Sequence, residues 1–170
     1  QEGDIQNVVV LSGDIHSHAV NELPQERTRD VSRLRDWWQL QKAAGAKQRF
    51  NYTSVAVEFV VTSVSAATIF QDETLLRIIP FALEALDFVL QTIGGRWLNP
   101  HNLYLNTLDR GYQILDVQPD RVQADIYVTG DPADPVDALP ADQQYQLSFV
   151  TQAGTHTAQQ TNQESRPLLS

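Results

Sequence analysis

Two short runs of β-branched residues dominate the hydrophobic pattern of the N-terminal part of the chain. Asn7–Ser12 reads NVVVLS and stops at Gly13, and Ser54–Val64 reads SVAVEFVVTSV. Continuous apolar runs bounded by turn residues are typical of strands that are covered on both faces. We therefore predict two interior strands at these positions.

The spacing of apolar residues changes to that of helices in two other segments. Val31–Ala44 directs its apolar residues to one side, and Glu73–Ile93 repeats its polar positions at steps typical of a helix. Pro80 predicts a kink or a restart in the second helix. Its length would suit a membrane span, but charged residues inside it would lie in hydrocarbon, so we predict a core helix and no membrane span.

The C-terminal third alternates apolar and polar residues with the period of a strand. GYQILDVQPDRVQADIYV, residues 111–128, predicts a β-hairpin around a Pro-Asp turn at Gln118–Arg121. An acidic, proline-containing loop over 130–143 follows. QYQLSFV, residues 144–150, predicts a last strand.

Composition indicates a single globular domain and narrows the class of partner. The chain has 170 residues, of which 42% are hydrophobic, and this is enough for a sizeable core. Its net charge is −9 with only two lysines, so its surface should not attract nucleic acid or anionic membranes. The absence of cysteine excludes disulfides and thiolate metal sites.

The two ends of the chain give two further expectations. Few apolar residues follow Gln152, so we predict a globular part over 1–151 and a polar, flexible tail over 152–170. The chain starts at Gln1 and contains no methionine, so we expect a processed product or a piece of a longer protein.

Polar side chains follow the first predicted strand directly. Asp14, His16 and His18 are each two positions apart, and in an extended chain they would share a face. Open α/β sheets bind ligands outside the carboxyl ends of their strands, and a carboxylate with an imidazole suits iron, zinc or manganese. A carboxylate alone also suits calcium. The alternative is that Asp14 only forms a turn after Gly13 and that the histidines are solvated loop residues.

Three segments together resemble the C-terminal part of the alkaline phosphatase D (PhoD-like) family of metallophosphoesterases. LSGDIHSHAVNEL, VAVEFVVTSVS and NPHNLYLNTLDRGYQILDVQPDRVQADIYV follow one another in the order of the family's motifs, over roughly residues 7–130. The resemblance implies an α/β fold, the C-terminal part of an αββα sandwich that ends in an antiparallel β-hairpin and a strand. It also implies a secreted, periplasmic or cell-surface hydrolase of phosphate mono- and diesters, with a multi-metal centre of iron and calcium.

The resemblance assigns roles to particular residues. Asp14 and His16 fall on the family's last metal-ligand motif, and we expect them to be catalytic metal ligands. The earlier metal motifs of the family are absent from this chain, so we expect the N-terminal remainder of the same protein to complete the site. The expected partners are therefore that remainder and a phosphoester substrate, and the isolated chain should be inactive.

Other polar residues are candidates to hydrogen-bond to the metal ligands and so to fix their orientation. These candidates are Ser12, Ser17, His18, Glu58 and His101. Glu58 lies in a strand, where a buried carboxylate needs a partner, so it either pairs with Arg110 or supports the site. For His18 a loop position is the stronger expectation, and for His101 a rigid turn before the hairpin is an equal one.

A different class of protein also fits these patterns. The hairpin and the acidic loop would suit a β-rich accessory module that binds a partner and has no enzymatic activity. Two observations argue against such a module. One is the position of Asp14 and His16 directly after a strand, and the other is the family resemblance.

Overall fold

The computed structural model describes two four-stranded β-sheets that pack face to face. The described residues are 7–25, 53–66, 101–130, 139–140 and 143–165. The strands are β1 (Val9–Ser12), β2 (His18–Pro24), β3 (Ser54–Val60), β4 (Asn102–Asn106), β5 (Gly111–Val117), β6 (Arg121–Val128), β7 (Tyr145–Gln152) and β8 (Gln159–Thr161). Sheet A has the order β1-β3-β2-β4 and sheet B the order β5-β6-β7-β8.

The described residues contain the sheets of the predicted α/β fold but no helix. The predicted helices at Val31–Ala44 and Glu73–Ile93 lie outside the described residues. Within these residues, therefore, no helix is long and apolar enough to cross a membrane. The described residues form two sheets, and the αββα sandwich stays a prediction.

Sheet A contains one parallel pair among antiparallel ones. β1 and β3 run parallel, from Val9 opposite Val57 to Ser12 opposite Val60. β2 is antiparallel to both β3 and β4. β3 is the interior strand that the sequence predicts at Ser54–Val64, although it ends at Val60.

The prediction that Asn7–Ser12 is an interior strand concerns neighbours beyond the described residues, and it stays a prediction. Among the described strands, β1 pairs with β3 alone, so it forms an edge of sheet A. Leu11 in this strand is 61% exposed. A run of apolar residues indicates a buried strand, but it does not indicate how many neighbouring strands pair with it.

Sheet B confirms the predicted hairpin. Residues of β5 and β6 pair in register from Gly111 opposite Val128 to Val117 opposite Val122. The turn is closed by the Gln118 amide, which donates to the Arg121 carbonyl at 2.9 Å. The predicted strand at 144–150 is β7, which pairs with β6.

The hydrophobic core fills the space between the two sheets. Sheet A contributes Val20, Val57 and Phe59, and sheet B contributes Ala124, Ile126 and Phe149. Tyr104 of β4 adds a ring contact to Phe149 at 5.9 Å between centroids. This packing between the sheets fixes the position of sheet A, including the end at which the candidate metal ligands lie.

The far face of sheet B is buried as well, although its residues are polar. Asp125 has no exposed surface, and its carboxylate accepts hydrogen bonds from Gln123 at 2.8 Å and Ser148 at 2.6 Å. Ser165 donates to the other carboxylate oxygen through its amide at 3.0 Å and through its hydroxyl. Strand alternation correctly separates the two faces of β6, but both faces are covered.

The C-terminal segment, residues 158–165, lies beside both sheets, and its last residues, 163–165, cover part of this far face. The Ala158 amide donates to Glu22 of sheet A at 3.2 Å, β8 pairs with β7, and the Gln163 carbonyl accepts from Gln123 at 2.7 Å. Backbone and side-chain hydrogen bonds, which hydrophobic patterning does not record, hold these residues. The division into a globular part over 1–151 and a polar, flexible tail over 152–170 stays a prediction.

Candidate metal centre

Polar residues gather at one end of sheet A, which we call the site end. The parallel strands β1 and β3 both finish there, and the Val61 amide donates to the Ser12 carbonyl at 3.0 Å. β2 begins there and β4 ends there, with His18 opposite Asn106. The β1–β2 connection, residues 13–17, therefore crosses the site end between strands that fix both of its ends.

Asp14 and His16 both lie in this β1–β2 connection. Their φ angles are 72° and 51°, so both backbones are left-handed rather than extended as we expected. Asp14 is exposed and His16 is half-buried. Left-handed backbones are uncommon outside glycine, although Asp and His are enriched among the exceptions, and they cluster at functional sites. The connection thus presents a carboxylate and an imidazole at the rim of the sheet.

These two side chains do not form a complete metal site with their described neighbours. Nowhere in the described part of the chain do three or more His, Asp or Glu side chains come together in a group that could hold a metal ion. A metal bound by Asp14 and His16 would need further ligands from outside the described residues. The assignment of these two residues as ligands stays a prediction.

His18 is the first residue of β2 and not a loop residue, which corrects the stronger expectation for it. Its side chain has no exposed surface, because β2 turns it towards sheet B. Its Nδ1 lies 3.3 Å from the amide nitrogen of Gln113. Burial lowers the pKa of His18 to about 4, against the opposing effects of the Asp109 charge and the Tyr127 backbone, so the ring is neutral.

The carboxylate of Glu58 is hydrogen-bonded within sheet A. Its two carboxylate oxygens accept hydrogen bonds from the Ser12 hydroxyl and the Asn21 amide, each at 2.9 Å. Asn102 of β4 donates to Asn21 at 2.9 Å, so the polar row crosses all four strands of the sheet. Of the two alternatives for Glu58, the pairing with Arg110 is not seen, and the Arg110 Nε donates to the Ala66 carbonyl at 3.2 Å. Ser12 and Glu58 thus support the end of β1 from behind.

Ser17 and His101 occupy different ends of the sheet. Ser17 is buried inside the β1–β2 connection, and its hydroxyl donates to the Ile15 carbonyl at 3.4 Å. His101 precedes β4 at the opposite end of the sheet, where its carbonyl accepts from the Glu22 amide at 2.8 Å. Burial lowers the pKa of His101, while the Glu22 charge opposes this effect. The structure therefore does not bring His101 to Asp14 and His16.

Sequence reasoning missed two features of the site end. The side chain of Gln113 reaches from β5 to sheet A, where its amide also donates to the Val60 carbonyl at 2.8 Å. Asn106 closes a tight turn after β4, because its side-chain oxygen accepts from the Leu108 and Asp109 amides at 3.1 and 3.0 Å. An Asn that begins a turn is a sequence signal that could have located the second feature. The position of the Gln113 side chain, by contrast, follows only from how the two sheets pack.

Comparison with known proteins assigns the sequence of the chain to a family. The sequence model of a family described as "PhoD-like phosphatase" matches residues 1–126, which is well over half of the chain. The chain belongs to the PhoD-like phosphatase family. Residues 14 and 16, and strands β1 to β5, lie inside the matched region.

A solved structure gives a comparison for the PhoD-like fold. The structure titled "Structure of PhoD" matches with a TM-score of 0.52 at 20% identity, over 95% of this chain and 23% of that one. This likeness concerns the fold alone, and the chain spans about a quarter of the length of the PhoD structure it matches. A comparison with curated proteins finds no match.

Proposed function

We propose that this chain is part of a metal-dependent phosphoesterase that hydrolyses phosphate mono- or diesters. The observation that carries the proposal is the family match over residues 1–126, because it includes the Asp14 and His16 pair beyond the carboxyl end of β1. An exposed carboxylate and a half-buried imidazole on one connection suit a metal bound at the rim of the sheet.

In this proposal Asp14 and His16 are metal ligands and the site is completed from outside the described residues. Carboxylate and imidazole donors fit iron, and the carboxylate also fits calcium, the two metals implied by the family resemblance. Such metals neutralise phosphoryl oxygens and lower the pKa of bound water. The chain's own part is to hold the two donors at fixed positions, with Ser12 and Glu58 bracing the end of β1.

The proposal includes the rest of the protein and its location. Since the chain spans 23% of the PhoD structure, we propose that an N-terminal remainder supplies the other ligands and packs beside this part. We also propose a secreted, periplasmic or cell-surface location, which membership of the same family supports. The partners are then a phosphoester substrate and that remainder, and the net charge of −9 argues against nucleic acid.

The test uses the full-length protein with p-nitrophenyl phosphate and its bis-ester at alkaline pH. We expect hydrolysis that a chelator abolishes, and Asp14→Ala and His16→Ala variants with activity and bound metal lowered at least about tenfold. Folding should survive, because both residues lie on a connection at the rim. Asp120→Asn is a matched control, since Asp120 is exposed in the hairpin turn far from the site end. Unchanged metal content in both ligand variants would refute the assignment.

One observation favours a second candidate, an accessory module without enzymatic activity. The described residues form only β-sheets and contain no group of three metal-ligating side chains. Such a module would bind its partner without hydrolysing any phosphoester. Activity that exhaustive chelation leaves unchanged, or no activity on any phosphoester tested, would favour it.

A further inference from the structure

His18 lies where the two sheets meet at the site end, two residues after the proposed ligand His16. We propose that His18 is a positioning residue, which fixes the proposed metal ligands through hydrogen bonds between the two sheets. We call His18, Gln113 and the Val60 carbonyl together the inter-sheet lock. The inference rests on the proposed function, since it assumes that Asp14 and His16 bind metal.

The hydrogen bonds of the inter-sheet lock have a defined direction. The amide nitrogen of Gln113 donates to the Val60 carbonyl at 2.8 Å and lies 3.3 Å from Nδ1 of His18. A carbonyl can only accept, so this atom of Gln113 must be the NH₂ group, and Nδ1 of His18 accepts from it. Since Nδ1 accepts, the ring proton is on Nε2, which lies towards the backbone of Tyr127.

Gly111 makes room for this arrangement on β5. A Cβ atom there would lie 1.9 Å from the Tyr127 carbonyl oxygen and 2.9 Å from Nε2 of His18. The Gly111 amide in turn donates to the Ser63 carbonyl at 3.1 Å, just beyond β3. The start of β5 is therefore bound to sheet A at three points: the His18 ring, the Val60 carbonyl and the Ser63 carbonyl.

The β1–β2 connection ends at His18, the residue that sheet A contributes with its side chain to the inter-sheet lock. The connection is five residues long, and its first end is fixed because the Ser12 carbonyl accepts from Val61. Its second end is His18, whose side chain has no exposed surface and contacts Gln113 of sheet B. Asp14 and His16 lie between these two fixed points. Metal ligands need groups behind them that restrict their orientation, and the inter-sheet lock provides that restriction from one side.

An imidazole is not what stability alone would select at this position. Burial of a polar ring costs free energy that an apolar side chain of similar size avoids, and Nε2 makes no hydrogen bond of normal geometry to any described residue. What the ring adds is a directional contact to Gln113. A directional contact sets the rotation of His18 and hence the path of the residues before it.

The experiment measures Mn²⁺ binding to the full-length protein by the loss of the free-ion signal in electron paramagnetic resonance. His18→Leu and Gln113→Leu each remove the directional contact, from opposite sheets, and should weaken Mn²⁺ binding about 10- to 100-fold. His18→Asn keeps an acceptor at the position of Nδ1, so it should restore binding to within about threefold of the parent protein.

Gln123→Leu is the matched control. Gln123 is likewise a glutamine of sheet B that donates two hydrogen bonds, to Asp125 and to Gln163, but it is buried and lies on the far face of that sheet. It should lower the melting temperature about as much as Gln113→Leu and leave Mn²⁺ affinity unchanged. Equal weakening by both glutamine variants would mean that general destabilisation is the cause, and would overturn the proposal.

Two results separate this inference from the proposed function. Parent-like Mn²⁺ affinity in folded His18→Leu, while Asp14→Ala loses binding, would overturn the positioning role alone. Parent-like affinity in Asp14→Ala and His16→Ala would overturn the ligand assignment and the inference with it. If His18→Leu does not fold, Gln113→Leu decides the positioning role by the same measurement.

Discussion

Asp125 is buried with a full negative charge because three neighbouring side chains and one amide hydrogen-bond to it. Burial raises the pKa of its carboxyl, but hydrogen bonds from Ser148, Ser165 and Gln123 together outweigh burial and hold the pKa below its usual value of 3.8. The charged form is therefore the one that the folded protein stabilises. A sequence of alternating residues shows Asp125 only as a polar position on a strand.

This depressed pKa predicts a pH-dependent loss of stability. Because the folded state binds the Asp125 proton less tightly than the unfolded state does, the stabilisation is complete above about pH 5 and is lost as the pH falls below 3.8 through the folded pKa. Asp125→Asn should therefore lower the free energy of unfolding by about 1.5–3 kcal/mol at pH 7, and by less at pH 3. Urea unfolding at both values measures the difference, with exposed Asp120→Asn as the control. A difference that is the same at both pH values would contradict it.

Single residues also show how far the sequence can predict the candidate site. Asp14 and His16 are recognisable because they follow an apolar run at a spacing of two, within a motif that resembles a family. Their left-handed backbone conformations are not recognisable from the sequence, since a spacing of two suggests an extended chain. The buried position of His18 depends on Gln113 and Gly111, which lie about a hundred residues further along the chain and form no pattern with it.

At the scale of elements, the β5–β6 hairpin connects sheet B to the site end of sheet A, through contacts at the start of β5. Gly111 begins the hairpin at a position where no side chain fits. Gly154, by contrast, lies after β7 with a φ of 77°, and no atom lies within 4 Å of the place that a Cβ would take there. The two glycines are thus required for different physical reasons, one for space and the other for backbone conformation.

This contrast predicts two different costs for the same substitution. Gly111→Ala places a Cβ 1.9 Å from a backbone oxygen, so it should lower the free energy of unfolding by about 3 kcal/mol or more and also weaken metal binding. Gly154→Ala meets only the left-handed backbone penalty, about 1–2 kcal/mol, and should leave metal binding unchanged. Urea unfolding with Mn²⁺ titration checks both. Gly111→Ala with parent-like stability would contradict the close contact.

The C-terminal segment gives a second prediction at this scale. Ending the chain after Thr157 removes β8 and both hydrogen bonds from Ser165 to Asp125, which leaves part of a buried carboxylate without donors. The free energy of unfolding should fall by at least about 2 kcal/mol. Ending the chain after Ser165 keeps every one of these contacts and is the control. Equal stability of the two truncated chains in urea would show that the segment contributes nothing.

Elements differ in how well the sequence predicts them. The hairpin is predictable because its pairing is local and its turn residues are distinctive. The edge position of β1 is not, because strand order depends on pairings across more than forty residues. β8 escapes prediction because its three residues, QQT, carry no hydrophobic alternation, and only its pairing with β7 makes it a strand.

For the whole molecule, the important fact is that the match to the PhoD structure takes in 95% of this chain but only 23% of that one. The site end has two proposed ligands, and β1 is an edge strand within the described residues. Both observations are consistent with the proposal that a larger protein completes the site, since catalytic metal centres take ligands from several strand ends.

We therefore predict that the chain of residues 1–170 is inactive by itself. Expressed alone, it should bind Mn²⁺ at least about tenfold more weakly than the full-length protein and should not hydrolyse p-nitrophenyl phosphate, because two ligands hold a metal less tightly than a full set. Metal analysis and activity assays of the two proteins, side by side, check this. A folded, monomeric chain with full metal content and full activity would disprove it.

The two sheets differ in strand order, and this has a consequence for the time course of folding. In sheet B each strand pairs with its neighbour in sequence, so the loops that close as it forms are shorter than the connections that lead to β3 and β4 in sheet A. Sheet A must first bring β3 beside β1 and β2 from a distant part of the chain, which is a slower step. We expect sheet B to form early and to act as the surface on which sheet A assembles. Asp14 and His16 would then reach their final positions last, so a newly made chain becomes able to bind metal only near the end of folding.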